Sequence, residues 1–151
     1  MYQSDVLNYD IDSLIHAEFR VKTVAALDST SSLAFGLATA RNDAIDSLAS
    51  HASFRLIGSN AVVVETDDSV NDNDDVATGT TLVATYKKFV IDFQNKADVK
   101  FYIDGVRVAA STTFDMTNFS TGLQPYVQLQ KTSDTNTDSV TVDYIKITSK
   151  R

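Results

Sequence analysis

Cysteine and tryptophan are missing from all 151 residues of this chain, and proline occurs once, at Pro125. Without cysteine there are no disulfides and no thiolate metal sites, so stability has to come from packing and hydrogen bonding, and the redox compartment stays open. Glutamate is nearly missing too: of 20 acidic residues only Glu18 and Glu65 are not aspartate. Aspartate favours turns. With abundant Ser and Thr and the β-branched Val and Ile, this composition reads as short strands joined by polar loops. Clustered Lys and Arg are lacking as well, and a net charge of -7 argues against bare nucleic acid as a partner, because neutralising phosphates takes concentrated cations. The longest apolar run is residues 61–64, far short of the roughly 20 residues of a spanning helix. Polar residues follow Met1 in place of a signal-peptide core, so the chain is expected to be soluble and off the membrane, with secretion of a longer precursor left open.

What is present is alternation. The segment 99–109, VKFYIDGVRVA, carries Val99, Phe101 and Ile103 on one face, then the turn pair Asp104-Gly105, then Val106 and Val108. An Asp-Gly pair supplies positive backbone dihedrals at low cost, so this is a hairpin. Residues 14–22 read as a first strand with Ala17, Phe19 and Val21 opposite His16, Glu18, Arg20 and Lys22, and 32–39 as a second with Leu33, Phe35 and Leu37 inward. Ala34, Gly36 and Ala38, on the other face of that strand, permit close approach by a neighbouring layer. Residues 41–50 read as a short helix or a structured loop. Strands at 53–57 and 61–66 form a second hairpin through Gly58-Ser59-Asn60, and a long polar excursion, 67–80, follows. Strands at 82–93, 123–131 and 139–148 complete the pattern. Pro125 marks an edge or a strand start, and the phase shift from Val140, Val142 and Tyr144 to Ile145 and Ile147 calls for a bulge near Tyr144 or burial on both faces. About eight strands without a linker specify one all-β domain, an antiparallel two-sheet β-sandwich, over 14–151. Residues 1–13 read as an unpatterned arm whose Val6, Leu7, Tyr9 and Ile11 give it apolar surface for docking.

Few side chains point to chemistry. The acidic loop around Asp67, Asp68, Asp72 and Asp74 is the candidate cation site, since calcium takes six to eight oxygen ligands; its spacing is not that of an EF-hand, and a solvated loop is the competing explanation. No other cofactor is indicated. A glycoside hydrolase needs two carboxylates about 5 to 9 Å apart, whereas Glu18 and Glu65 fall on different strands and no strand holds a close acidic pair. Nucleophile-elbow and phosphate-loop motifs are absent. The expectation is therefore a chain that is not an enzyme. Tyr126, Gln128 and Gln130 share one side of a strand and could form a binding face, with an ordinary solvated sheet face as the alternative.

Six segments together resemble the concanavalin A-like jelly-roll domains of tailed-bacteriophage structural proteins: AEFRVK (17–22), FGLATARNDAIDSLASHASFRL (35–56), KFVIDF (88–93), VKFYIDGVRVA (99–109), LQPYVQLQK (123–131) and VTVDYIKI (140–147). The resemblance implies a sandwich of two curved sheets serving as a capsid decoration or cement protein on the outer surface of the virion. It further implies a homotrimer whose partners are the major capsid protein and neighbouring copies, with the arm as a contact. The glucanase branch of the same superfamily carries an E-x-D-x-E catalytic strand that no segment here matches, so hydrolysis is not carried over. The second functional reading is a lectin-like carbohydrate-binding module on a fibre or host-recognition surface, using the Tyr126 face or a calcium-loaded acidic loop to hold a glycan.

Overall fold

A computed structural model describes residues 9–133, 135 and 137–150. Among these residues eleven strands build two antiparallel sheets. In chain order they are β1 (Tyr9–Asp10), β2 (Leu14–Thr23), β3 (Ser31–Ala38), β4 (His51–Ile57), β5 (Ala61–Asp67), β6 (Asp72–Thr81), β7 (Lys87–Asp92), β8 (Lys100–Ile103), β9 (Val106–Val108), β10 (Gly122–Lys131) and β11 (Val140–Ser149). One sheet runs β1-β10-β3-β4-β5-β6 and the other β11-β2-β7-β8-β9. The fold is the expected all-β sandwich.

Alternate residues of each strand meet between the sheets, where six phenylalanines form a continuous run of rings. Phe35 contacts Phe19, Phe54 and Phe89, and Phe54 leads through Phe101 to Phe114, with centroids 4.8 to 6.0 Å apart. Most of these contacts are tilted or edge-on, the arrangement favoured by the ring quadrupoles. Phe101 and Ile103 are buried, as are the connection's anchors Phe114, Met116 and Phe119. The hairpin turn has φ of +50° at Asp104 and +84° at Gly105. Its Asp104 carboxylate also accepts the Lys88 backbone N–H at 2.8 Å, tying the turn to β7.

Other sequence features take physical form at the strand edges. β10 lies between β3 and β1, and Pro125, near its start, sits beyond the two residues, Gly122 and Leu123, that β1 pairs with among the described residues, a strand-start position that proline tolerates. The register of β11 against β2 slips between Val142 and Tyr144, which makes Asp143 the bulge. At Gly36, an added Cβ would lie 2.3 Å from the Ala52 carbonyl oxygen; the close approach comes from the adjacent strand.

Three expectations need correction. Tyr9 belongs to β1 and packs, partly buried, on the core, and Ile11 is 1% exposed within it, so the sandwich begins before residue 14, Ile11 is not docking surface, and Tyr9 is part of the sandwich and not of a separate arm. Val6 and Leu7 lie outside the described residues. The excursion 67–80 is mostly strand: β6 pairs with β5 along an outer edge, where solvent on one side removes the need for an apolar period. The strand expected over 82–93 is shortened to β7. Of the two readings of 41–50, the structured loop is the one found, with a single 3-10 turn at Ile45–Ser47.

Candidate functional site

The side of the β1-to-β6 sheet turned away from the core is polar and buried. Strand alternation brings His51, Ser53 and Arg55 from β4 beside Glu65 from β5 and Tyr126 from β10, and all five are less than a tenth exposed. Loop 39–50 closes over them. Its Ile45 and Leu48 pack on Ala34, Ala38 and Tyr126 as a second small apolar cluster, so the small residues of β3 do receive another layer.

Arg55 is the centre of this layer. Its guanidinium reaches Glu65 at 2.7 Å and Asp46 of the loop at 2.6 Å, with Asp75 of β6 at 3.9 Å. His51 Nε2 stands 3.5 Å from Glu65. Burial pushes the Glu65 carboxyl upward, but His51, Asp75 and Arg55 outweigh it and hold the group down at about 2. Burial and the hydrogen bond and charge of Glu65 act the other way on Asp75, raising it to about 6 against the pull of Arg55. Burial also raises the Tyr126 hydroxyl far above its ordinary range.

A carboxylate pair therefore exists after all, although no single strand contains it. The β5–β6 register slips between Val64 and Thr66, and the slip, with Asp75 at φ +48°, turns that aspartate toward Glu65. Two carboxyls with separated proton affinities are the raw material of acid–base chemistry. Here, however, Glu65 is 3% exposed and faces Arg55 and His51, which leaves a clamp that fastens the loop to the sheet.

The structure separates the remaining residues singled out in the sequence. Tyr126 is 2% exposed. Gln128 Nε2 donates to the Asn42 carbonyl at 2.8 Å, and Gln130 Oε1 accepts the Ile45 N–H at 2.9 Å. The expected Tyr126 binding face is thus occupied by the molecule's own loop, because these amides supply the bonds that an irregular backbone lying on a sheet requires. Asp68 caps the β5–β6 turn: its carboxylate accepts the backbone N–H groups of Val70, Asn71 and Asn118, and these outweigh burial and lower its pKa. Asp67 accepts the Ser69 N–H, while Asp72 and Asp74 stand exposed on β6. Among the described residues no group of three or more His, Cys, Asp or Glu is arranged to hold a metal ion. Glu18, far from Glu65, binds the Tyr144 hydroxyl and pairs with Lys88.

A different concavity is open. Among the described residues, β10 and β11 flank an apolar groove of about 670 Å³ lined by Tyr9, Pro125, Val127, Leu129, Val142 and Ile147. Its traces in the sequence are Pro125 as an edge marker and the phase break of the last strand, and neither says that the two strands face one another.

No family model and no curated protein matches this sequence. Among solved structures the chain is similar to the Bacillus licheniformis β-glucanase, with a TM-score of 0.63 and 15% identity over 97% of this chain and 69% of that one. At that identity the likeness establishes the fold, a concanavalin A-like jelly roll.

Proposed function

We propose that this chain is a non-enzymatic structural module that binds other protein surfaces, and specifically a decoration or cement protein on the head of a tailed bacteriophage. The observation that carries the docking reading is the contrast between two of its surfaces. The polar sheet face, where a small hydrophilic ligand would be held, is filled by loop 39–50, whereas the groove between β10 and β11 is open and apolar. An apolar groove between strand edges suits a polypeptide better than a sugar. The phage head enters through the resemblance of the six sequence segments, and the jelly-roll fold is compatible with it.

The genes flanking this one identify the lattice to test, a neighbouring major capsid protein being the expected finding. Purified chain should then co-sediment with heads assembled from that protein and raise their melting temperature. Val142→Lys, which places a charge in the groove, should weaken co-sedimentation at least about tenfold while the chain still melts cooperatively. Glycan-array binding without any head binding would overturn the assignment in favour of the lectin-like reading, which the glucanase-type fold also accommodates.

A further inference from the structure

The outward face of the β11-β2-β7-β8-β9 sheet gathers cations in a chain that is acidic overall. Strand register sets Lys146, Glu18, Val90, Tyr102 and Arg107 in one row across the sheet, with Arg20 and Lys88 paired in the next and Asp92 and Lys100 beyond. Lys22 shares the face and, with Arg20, sits over the Tyr86 ring at 4.7 Å. Six of the 13 basic residues thus lie on one sheet surface. Some are answered locally, Arg20 by Asp143, Lys88 by Glu18 at 3.7 Å and Arg107 by Asp98 at 3.6 Å. Lys100 and Lys146 form no salt bridge among the described residues.

The opposite charge is concentrated at the β6 edge of the other sheet. Asp72 and Asp74 are exposed there and make no salt bridge to Lys or Arg among the described residues, and Asp67 lies across from Asp72. Slight desolvation together with the charges of Asp74 and Asp67 raises the Asp72 pKa against a smaller pull from His51, as expected of crowded acids. The cationic face and the acidic edge belong to different sheets, and no ion pair joins them among the described residues.

We propose that the cationic, tyrosine-bearing face of the five-stranded sheet is an interaction surface for a second copy of this chain, and that it receives the acidic β5–β6 hairpin around Asp72 and Asp74. The contact is head-to-tail, because the two patches differ. Contacts of that kind close into rings when the rotation between copies permits. Arg and Tyr are the residue types that most often anchor such interfaces, and complementary charge fixes orientation more than it supplies affinity. The inference goes beyond the lattice-binding proposal and does not depend on it, since it concerns the free protein.

Sedimentation velocity of the full chain tests it. Self-association should be at least about tenfold weaker near 0.5 M salt than near 0.05 M, following the screening of exposed charges. The double variants Lys88→Glu/Lys146→Glu and Asp72→Lys/Asp74→Lys alter exposed side chains, and circular dichroism and melting should show both folded. Each should remain monomeric alone, and an equimolar mixture should regain association, because the native face of one variant meets the native hairpin of the other and the two reversed patches also match in charge. A wild type that stays monomeric at low salt overturns the proposal, as do variants that associate like the wild type or a mixture that is not rescued. Head binding with a monomeric free chain would sink this inference and leave the lattice reading standing; self-association without head binding would do the reverse.

Discussion

The two sheets carry the same alternation of apolar and polar residues, yet their outer faces have opposite fates. On the β2 sheet, His16, Glu18, Arg20, Lys22 and Lys88 are all at least partly exposed. On the β4 sheet, Ser53, Arg55, Gln124 and Tyr126 are buried beneath loop 39–50. Alternation therefore specifies which side chains avoid the core, and it leaves open whether the remainder meet water. Where a loop covers them they lose water, and a buried polar group without a partner costs about 1 to 3 kcal/mol; Arg55 is answered by Glu65 and Asp46, whereas the Ser53 and Tyr126 hydroxyls make no hydrogen bond among the described residues. The covered face is in effect a second, polar core.

Four measurements sharpen or break that contrast. The reference is the apolar core itself: Phe54→Ala, removing a ring that contacts Phe35, Phe89 and Phe101, should cost about 3 to 5 kcal/mol in denaturant unfolding. Arg55→Ala should come next, at about 3 kcal/mol, because it leaves Glu65 charged and buried without its guanidinium. A cost as small as that of a surface lysine would show the covered face to be wet and abolish the comparison. In the wild type the folded-state pKa of Glu65 is depressed from 4.5 to about 2. Its contribution is thus present above pH 4.5 and lost as pH falls through about 2.

Asp75→Asn should have the opposite sign. The folded-state pKa of Asp75 is raised from 3.8 to about 6, so its stabilisation is full below pH 3.8 and is lost as pH rises through 6. At pH 8 the variant should be the more stable by about 1 kcal/mol, a figure discounted for the half-exposed carboxylate. The advantage should fade between pH 6 and 4 in thermal melts; an advantage independent of pH would mean that Glu65 and Asp75 do not share a proton. Smallest of all, Lys88→Ala on the open face should change stability by no more than about 0.5 kcal/mol.

The hairpin 99–109, the first strand and the bulge in β11 were legible from residue pattern because each depends on local rules: a turn pair, a period of two, a break in phase. Strand β6 was not, since Asp72, Asn73 and Asp74 belong to a strand only through pairing with β5. The Tyr126 face was misread for a related reason. A tyrosine alternating with amides looks the same whether it faces solvent or a loop contributed by residues some 85 positions away. The Glu65–Asp75 pair was hidden by a register slip, a property of two strands together that neither sequence expresses alone.

The sequence by itself determined that this protein is a β-sandwich, because side-chain alternation and turn chemistry are read within a few neighbouring residues and already assign each strand an inner face. Only the tertiary structure decided which polar face is covered, which acids meet and where an apolar groove stays open. Those outcomes depend on contacts between segments far apart in the chain, and desolvation, charge pairing and exposure take their values only once such segments are side by side.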